Sequence, residues 1–285
     1  MNTGHTDMQL ILVSGLSGSG KGVVMRVLED DGYYCVDNLP AALLEDTLRV
    51  LAEYGDFRVA ISVDARSLDS WRQLPALLEH LRTHMDVRLL FLEAGTPTLV
   101  RRFSETRRRH PLSNNDRALP EAIEAERELL APIANIAHRM DTSELAVSTL
   151  QQWIKDFVSS KSGRLTLLFT SFGFKRGIPL DADMVFDVRC LPNPHYDQRL
   201  RPLTGRDQPV IDFLQQSDEV AEMLADIYQH IAKWLPCFVR DHRSYLTVAI
   251  GCTGGQHRSV YLTEQLATRF AATEQTLLRH RGLSL

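Results

Sequence analysis

The chain has 285 residues, of which 44% are hydrophobic and 24% charged, which excludes a disordered or low-complexity protein and favours two domains or one large α/β unit. Thirty-two basic residues against 36 acidic ones give a net charge of −4, so any anion site must be local rather than the product of a global positive field. The four cysteines, Cys35, Cys190, Cys237 and Cys252, lack the spacing of a zinc site or a dithiol and read as reduced thiols of a cytoplasmic protein. No basic leader and no apolar stretch of about 20 residues is present, so neither export nor a membrane span is expected.

In chain order, residues 10–13 have strand length and are followed by a glycine loop and by helical spacing over 23–29. Residues 33–36, 58–63 and 87–92 are further strand patterns, and 41–54, 70–84, 98–109, 119–135 and 145–158 are helical. This alternation predicts a parallel, doubly wound sheet. The polar run at 159–163 predicts a boundary, with domains at 1–160 and 161–285. Beyond it, 165–170 and 185–188 read as strands, 210–234 as one helix, and 245–250 as a strand entering a second glycine loop and a helix over 257–272. The expected fold class is a P-loop NTPase or kinase-like parallel-sheet domain followed by a second α/β domain with a phosphate-binding glycine loop.

The first loop, Gly15-Leu16-Ser17-Gly18-Ser19-Gly20-Lys21-Gly22, fits G-x-x-x-x-G-K between a strand and a helix. Its glycines let successive amides turn toward phosphate oxygens, the helix adds its positive end, and Lys21 adds a point charge near the β- and γ-oxygens. The Ser or Thr that would ligate Mg²⁺ is Gly22, so nucleotide binding with slow hydrolysis is expected, Mg²⁺ coming chiefly with the phosphates. Asp37, Asp64 and Glu93 stand at strand ends. Asp64 is the choice for a Walker-B-like role, followed after Ala65 by Arg66 and Ser67, which could meet a phosphate or guanine edge; a helix cap is the plainer alternative. Arg101, Arg102, Arg107, Arg108, Arg109 and His110 form the densest basic cluster, several of them at spacings that share a helical face, and read as a phosphoryl-transfer lid, a solvated face or an RNA patch.

The second loop, Cys252-Thr253-Gly254-Gly255-Gln256-His257-Arg258-Ser259, spells C-x-x-x-x-x-R-S between a strand and a helix. That is the loop of cysteine-dependent phosphatases, in which a thiolate at a helix N-terminus attacks and an arginine clamps two oxygens. The same geometry holds a phosphorylated ligand without attacking it, and this is the preferred reading. The proline-rich stretch 189–205 is expected to fold over the loop, with His195, Arg201 and Thr204 as further polar contacts.

Residues 15–21, Tyr34-Cys35-Val36-Asp37-Asn38-Leu39-Pro40, 106–111, Ser171-Phe172-Gly173-Phe174-Lys175-Arg176-Gly177-Ile178-Pro179, 187–195 and 245–261 together resemble the RapZ-type P-loop nucleotide-binding proteins, bacterial RNase adapters. The resemblance spans nearly the whole chain. It implies ATP and GTP binding at residues 15–22, guanine-nucleotide contact at 64–67 and weak ATPase and GTPase activity. It implies a second domain that senses an amino-sugar phosphate and presents small regulatory RNA to an endoribonuclease, in a homo-oligomer. Two departures stand out: Gly22 replaces the family's serine, and the C-terminus, Leu277-Leu278-Arg279-His280-Arg281-Gly282-Leu283-Ser284-Leu285, carries few cations, so RNA affinity through it should be weaker and less salt-dependent unless the arginines at 101–109 share the task. A small-molecule P-loop kinase is a further alternative.

Overall fold

The computed structural model describes residues 8–55, 57–63, 74–113, 117–159, 165–240, 243 and 245–283. The chain divides into two compact units, Met1–Ser162 and Gly163–Leu285.

In the first unit, β1 (Gln9–Gly15) is apolar and buried over six of its seven residues because it has a neighbour on each side. It pairs in parallel with β3 (Arg58–Ser62) and β4 (Asp86–Glu93), and β2 (Tyr34–Val36) and β5 (His138–Asp141) extend the sheet to the order β2-β3-β1-β4-β5. β5 is absent from the sequence expectation, since three of the four residues in His-Arg-Met-Asp are polar and only the pairing with Leu90–Glu93 makes them a strand. The helices are α1 (Lys21–Asp30), α2 (Leu44–Tyr54), α3 (Leu74–Arg82), α4 (Thr96–Thr106), α5 (Leu119–Ile136) and α6 (Val147–Ser159). Their apolar stripes, such as Val24, Val27 and Leu28 of α1, face the sheet. α4 stops three residues before the sequence pattern does, because Arg107 turns to a left-handed φ of 52°. Arg107, Arg108 and Arg109 therefore do not share a face of α4 with Arg101 and Arg102.

In the second unit, four parallel strands lie in the order β7-β8-β6-β9, namely β6 (Thr166–Gly173), β7 (Met184–Asp187), β8 (Tyr245–Cys252) and β9 (Gln275–His280). Every residue of β6 is buried. β9, like β5, lies outside the strands that the sequence pattern predicts. The helix expected over 210–234 is two, α7 (Gln208–Gln215) and α8 (Asp218–Arg240), since Ser217 followed by Asp218 and Glu219 favours a new helix start. The last helix, α9 (Arg258–Phe270), follows the second glycine loop. Among the described residues no helix is long and apolar enough to cross a membrane.

Candidate functional site

β1 enters the first loop at Gly15, where φ is +141° and a Cβ would collide with the Leu92 carbonyl. Only glycine fits there. The Leu16 amide donates to that same carbonyl at 2.9 Å, and the Ser19 amide donates to the Leu16 carbonyl at 3.1 Å, closing the turn. Gly20, with φ of +111°, leads into α1. The Lys21 ammonium donates to the carbonyls of Gly15 at 2.5 Å and Leu16 at 3.3 Å, so it lies over the loop. The Ser19 hydroxyl is buried without a hydrogen-bond partner among the described residues. An amide-lined turn, a helix N-terminus and an ammonium converge here, which is the composition of an anion cradle.

Side chains on two flanks hold the loop from outside. Arg102 of α4 donates to the Gly18 carbonyl at 3.1 Å and to the Thr142 carbonyl at 2.7 Å, while the Thr142 hydroxyl donates to the Ser19 carbonyl at 2.8 Å. On the other flank, Glu126 of α5 accepts the Ser17 amide at 2.8 Å and the Ser17 hydroxyl at 2.7 Å, and lies 3.1 Å from Nε2 of His110. The side chains of His110 and Glu126 are fully buried. Burial pushes the Glu126 carboxyl up, but hydrogen bonds from His110 and Ser17 and the charge of Lys21 outweigh it and hold the group below its ordinary value.

Of the expected residues, Gly15 to Gly22 form one continuous turn. Asp64, Ala65, Arg66 and Ser67 lie outside the described residues. Within the arginine cluster, Arg101 pairs with Glu144 at 3.0 Å, Arg102 and His110 are engaged with the loop and its support, and Arg107, Arg108 and Arg109 are exposed. Sequence reasoning missed Glu126 and Thr142. Glu126 had a signal: it falls on the buried stripe of α5 with Ile123, Leu130 and Ile133, at spacings that put an acid where an apolar residue belongs.

In the second loop, Cys252 ends β8 and is buried, its Sγ 3.1 Å from the Ser259 hydroxyl and accepting the Gly255 amide at 3.2 Å. Burial opposes ionisation, yet hydrogen bonds from Ser259 and Gly255 and the charge of Arg258 hold the thiol below its ordinary value. Gly255, with φ of +74°, sits so close to Gly173 that a Cβ would meet its amide nitrogen at 2.6 Å. The Arg258 guanidinium donates to the carbonyls of Arg189 at 2.7 Å and Leu191 at 2.9 Å, with Thr253 Oγ1 at 3.4 Å, so much of its fork ties the proline-rich stretch to the loop. His257 donates from Nε2 to the Leu200 carbonyl at 3.1 Å, and burial holds its ring below the ordinary imidazole value. Gln256 donates to the Leu203 carbonyl at 2.7 Å, and the Gly205 amide donates back to the Gln256 carbonyl at 2.9 Å. His195 is exposed with its ring 6.3 Å from that of His257, Arg201 donates to the His195 carbonyl at 3.2 Å, and the Thr204 hydroxyl is taken up by Asp207 at 2.9 Å. Thr253 and Gly254 form the exposed crest of the loop.

Fold and loops together define a two-unit parallel α/β protein with a P-loop in the first unit and a cysteine-containing glycine loop before a helix in the second. The model of the RapZ-like N-terminal domain matches residues 8–162 and that of the RapZ C-terminal domain residues 165–284, and the chain belongs to this family. It is 62% identical to a protein of Thiobacillus denitrificans named nucleotide-binding protein, over 97% of this chain and all of that one. It is 60% identical to a protein of the same description from Aromatoleum aromaticum, over 96% of this chain and 95% of the relative. Among solved structures it is similar to shikimate kinase from Acinetobacter baumannii, at 17% identity and a TM-score of 0.38, over 53% of this chain and 93% of that one.

Proposed function

We propose that the first unit binds a nucleoside triphosphate, ATP or GTP, at residues 15–22 and hydrolyses it slowly, in the service of regulation rather than metabolism. The geometry of the loop carries this reading: glycines at positive φ, an ammonium over the turn and a ten-residue helix pointing its amide end at the same place. The description of the relatives as nucleotide-binding proteins supports it. Lys21 faces the β- and γ-oxygens, and Asp64 is proposed to serve the attacking water or the ion. At position 22 there is no hydroxyl for Mg²⁺, Glu93 is held by Arg139 at 2.7 Å, and Asp141 accepts the Ser143 amide at 2.8 Å. These described side chains do not compose a magnesium site, and the ion accompanies the phosphates.

In the same proposal the second unit takes a phosphorylated sugar metabolite between Thr253–Gly254 and the 195–204 segment, with Cys252, Gly255, His257, Arg258 and Ser259 shaping the loop. The full chain then acts as an RNase adapter, a cytoplasmic homo-oligomer that offers small regulatory RNA to an endoribonuclease. Family membership and the amide-rich loop at the head of the 13-residue α9 support this part. Calorimetric titration of the full chain tests both sites. Lys21→Ala should abolish ATP and GTP binding while leaving amino-sugar phosphate binding intact, and unchanged nucleotide affinity overturns the reading. Absence of a mobility shift with small RNAs at low salt removes the adapter role.

A second reading, cysteine phosphatase, is favoured by the 3.1 Å approach of Ser259 to Cys252 and opposed by the engagement of Arg258 with backbone carbonyls. Turnover of a chromogenic phosphate ester that survives Cys252→Ser would eliminate it.

A further inference from the structure

His110 accepts the Leu112 amide on Nδ1 at 3.1 Å, so its ring proton stands on Nε2 and is donated to Glu126. The partner of the buried carboxylate on that side is thus a neutral imidazole. Ser17 contributes an amide and a hydroxyl, both neutral as well. The negative charge of Glu126 is solvated by three donors and cancelled by none of them. The Lys21 ammonium donates to the Leu16 carbonyl at 3.3 Å, the other end of the peptide unit whose Ser17 amide Glu126 accepts, so one peptide separates the carboxylate from the residue that a P-loop places at the β- and γ-oxygens of its nucleotide.

Resting on the nucleotide reading, we infer that Glu126 is a specificity-determining positioning residue of the phosphate loop. Its carboxylate withdraws the Ser17 amide and hydroxyl from the anion cradle and fixes a negative charge one peptide unit from the Lys21 ammonium, against the terminal phosphate. A single amide hydrogen cannot serve both Glu126 and a phosphate oxygen, so the cradle works with the remaining amides of the loop. A buried charge is screened far less than an exposed one, and a phosphate bearing more charge at the Lys21 end meets more of its field. Discrimination between triphosphate and diphosphate follows. The loop reads the charge at the end of the polyphosphate.

The test compares ATP and ADP affinity by calorimetry on the full chain in magnesium-free buffer, where the terminal charge is bare. Glu126→Gln keeps shape and oxygen but loses the charge, and should raise the ratio of ATP to ADP affinity about fivefold or more. A purely structural role would change both affinities together and leave the ratio unmoved, and that result overturns the inference. If circular dichroism shows that Glu126→Gln does not fold, Glu126→Asp draws the charge back by one methylene and should move the ratio in the same direction by less; an unmoved ratio again overturns it. Wild-type protein that binds neither nucleotide refutes the nucleotide reading and the inference together. Wild-type binding that Lys21→Ala abolishes, with an unmoved ratio in the Glu126 variant, refutes the Glu126 role alone.

Discussion

Arg102 donates to the Gly18 carbonyl at 3.1 Å, so a side chain of α4 fixes the crest of the phosphate loop through its backbone. Its second terminal nitrogen reaches the Thr142 carbonyl at 2.7 Å, and the planar fork spans both. Lysine cannot reproduce that span. Arg102→Lys should cost about 1–2 kcal/mol of stability through lost hydrogen bonds and lower nucleotide affinity about tenfold through a looser loop. Urea unfolding and calorimetric titration check the two numbers separately.

Gly15 and Gly22 lie seven residues apart and should respond oppositely to a side chain. Gly15→Ala puts a methyl into the Leu92 carbonyl at a φ of +141° and should cost about 3 kcal/mol or more. Among the described residues nothing lies within 4 Å of a Cβ at Gly22. Gly22→Ser should leave the melting temperature within about 2 °C, restore a hydroxyl at the magnesium position, and make phosphate release faster and steeply magnesium-dependent. Thermal melts and steady-state phosphate release decide both halves.

His110 keeps Glu126 hydrogen-bonded in the interior, and His110→Ala should destabilise the protein by about 3 kcal/mol, from a lost bond to a charged group and a cavity beside Phe103. The pH dependence has a definite sign. Glu126 is held below its ordinary value in the folded state, so its contribution is present above the unfolded carboxylate value of about 4.3 and is lost as pH falls through the lower folded value. Glu126→Gln should lack that part of the acid limb when unfolding free energy is followed from pH 7 downward.

The thiols offer a site-resolved check on the second loop. Cys252 is held below the ordinary thiol value, whereas burial pushes Cys35 up to about 11, with Glu29 and Asp37 adding to it. Iodoacetamide labelling followed by peptide mass spectrometry should show Cys252 modification persisting at pH values where Cys35 is inert. Ser259→Ala removes a hydrogen bond to sulfur and should shift the Cys252 profile toward higher pH. An unchanged profile would show that the 3.1 Å approach does not stabilise the thiolate.

Much of the fold was readable because β6 and β8 are short runs rich in apolar residues, β8 leading into a glycine-rich turn, and because the helices carry 3.6-residue stripes. The strands that escaped, β5 and β9, lie at sheet edges and contain polar residues such as His138, Arg139, Gln275 and Arg279. Their conformation comes from pairing rather than propensity. The break at Gln216 and Ser217 was missed because the apolar stripe resumes at Val220 and Leu224, and the early end of α4 because no glycine or proline marks a stop before Pro111.

For the candidate sites, the chain order alone determined the two strand–loop–helix units, the Gly15–Lys21 spacing and the spacing from Cys252 to Ser259, since glycine freedom and a helix start are local properties. What those units contact was decided by tertiary structure. The approach of Glu126 to Ser17 spans 109 positions, and that of Arg258 to the Arg189 carbonyl spans 69. No local pattern encodes such distances. They follow from how parallel strands place their helices, and from the requirement that a carboxylate or guanidinium taken out of water find hydrogen-bond partners.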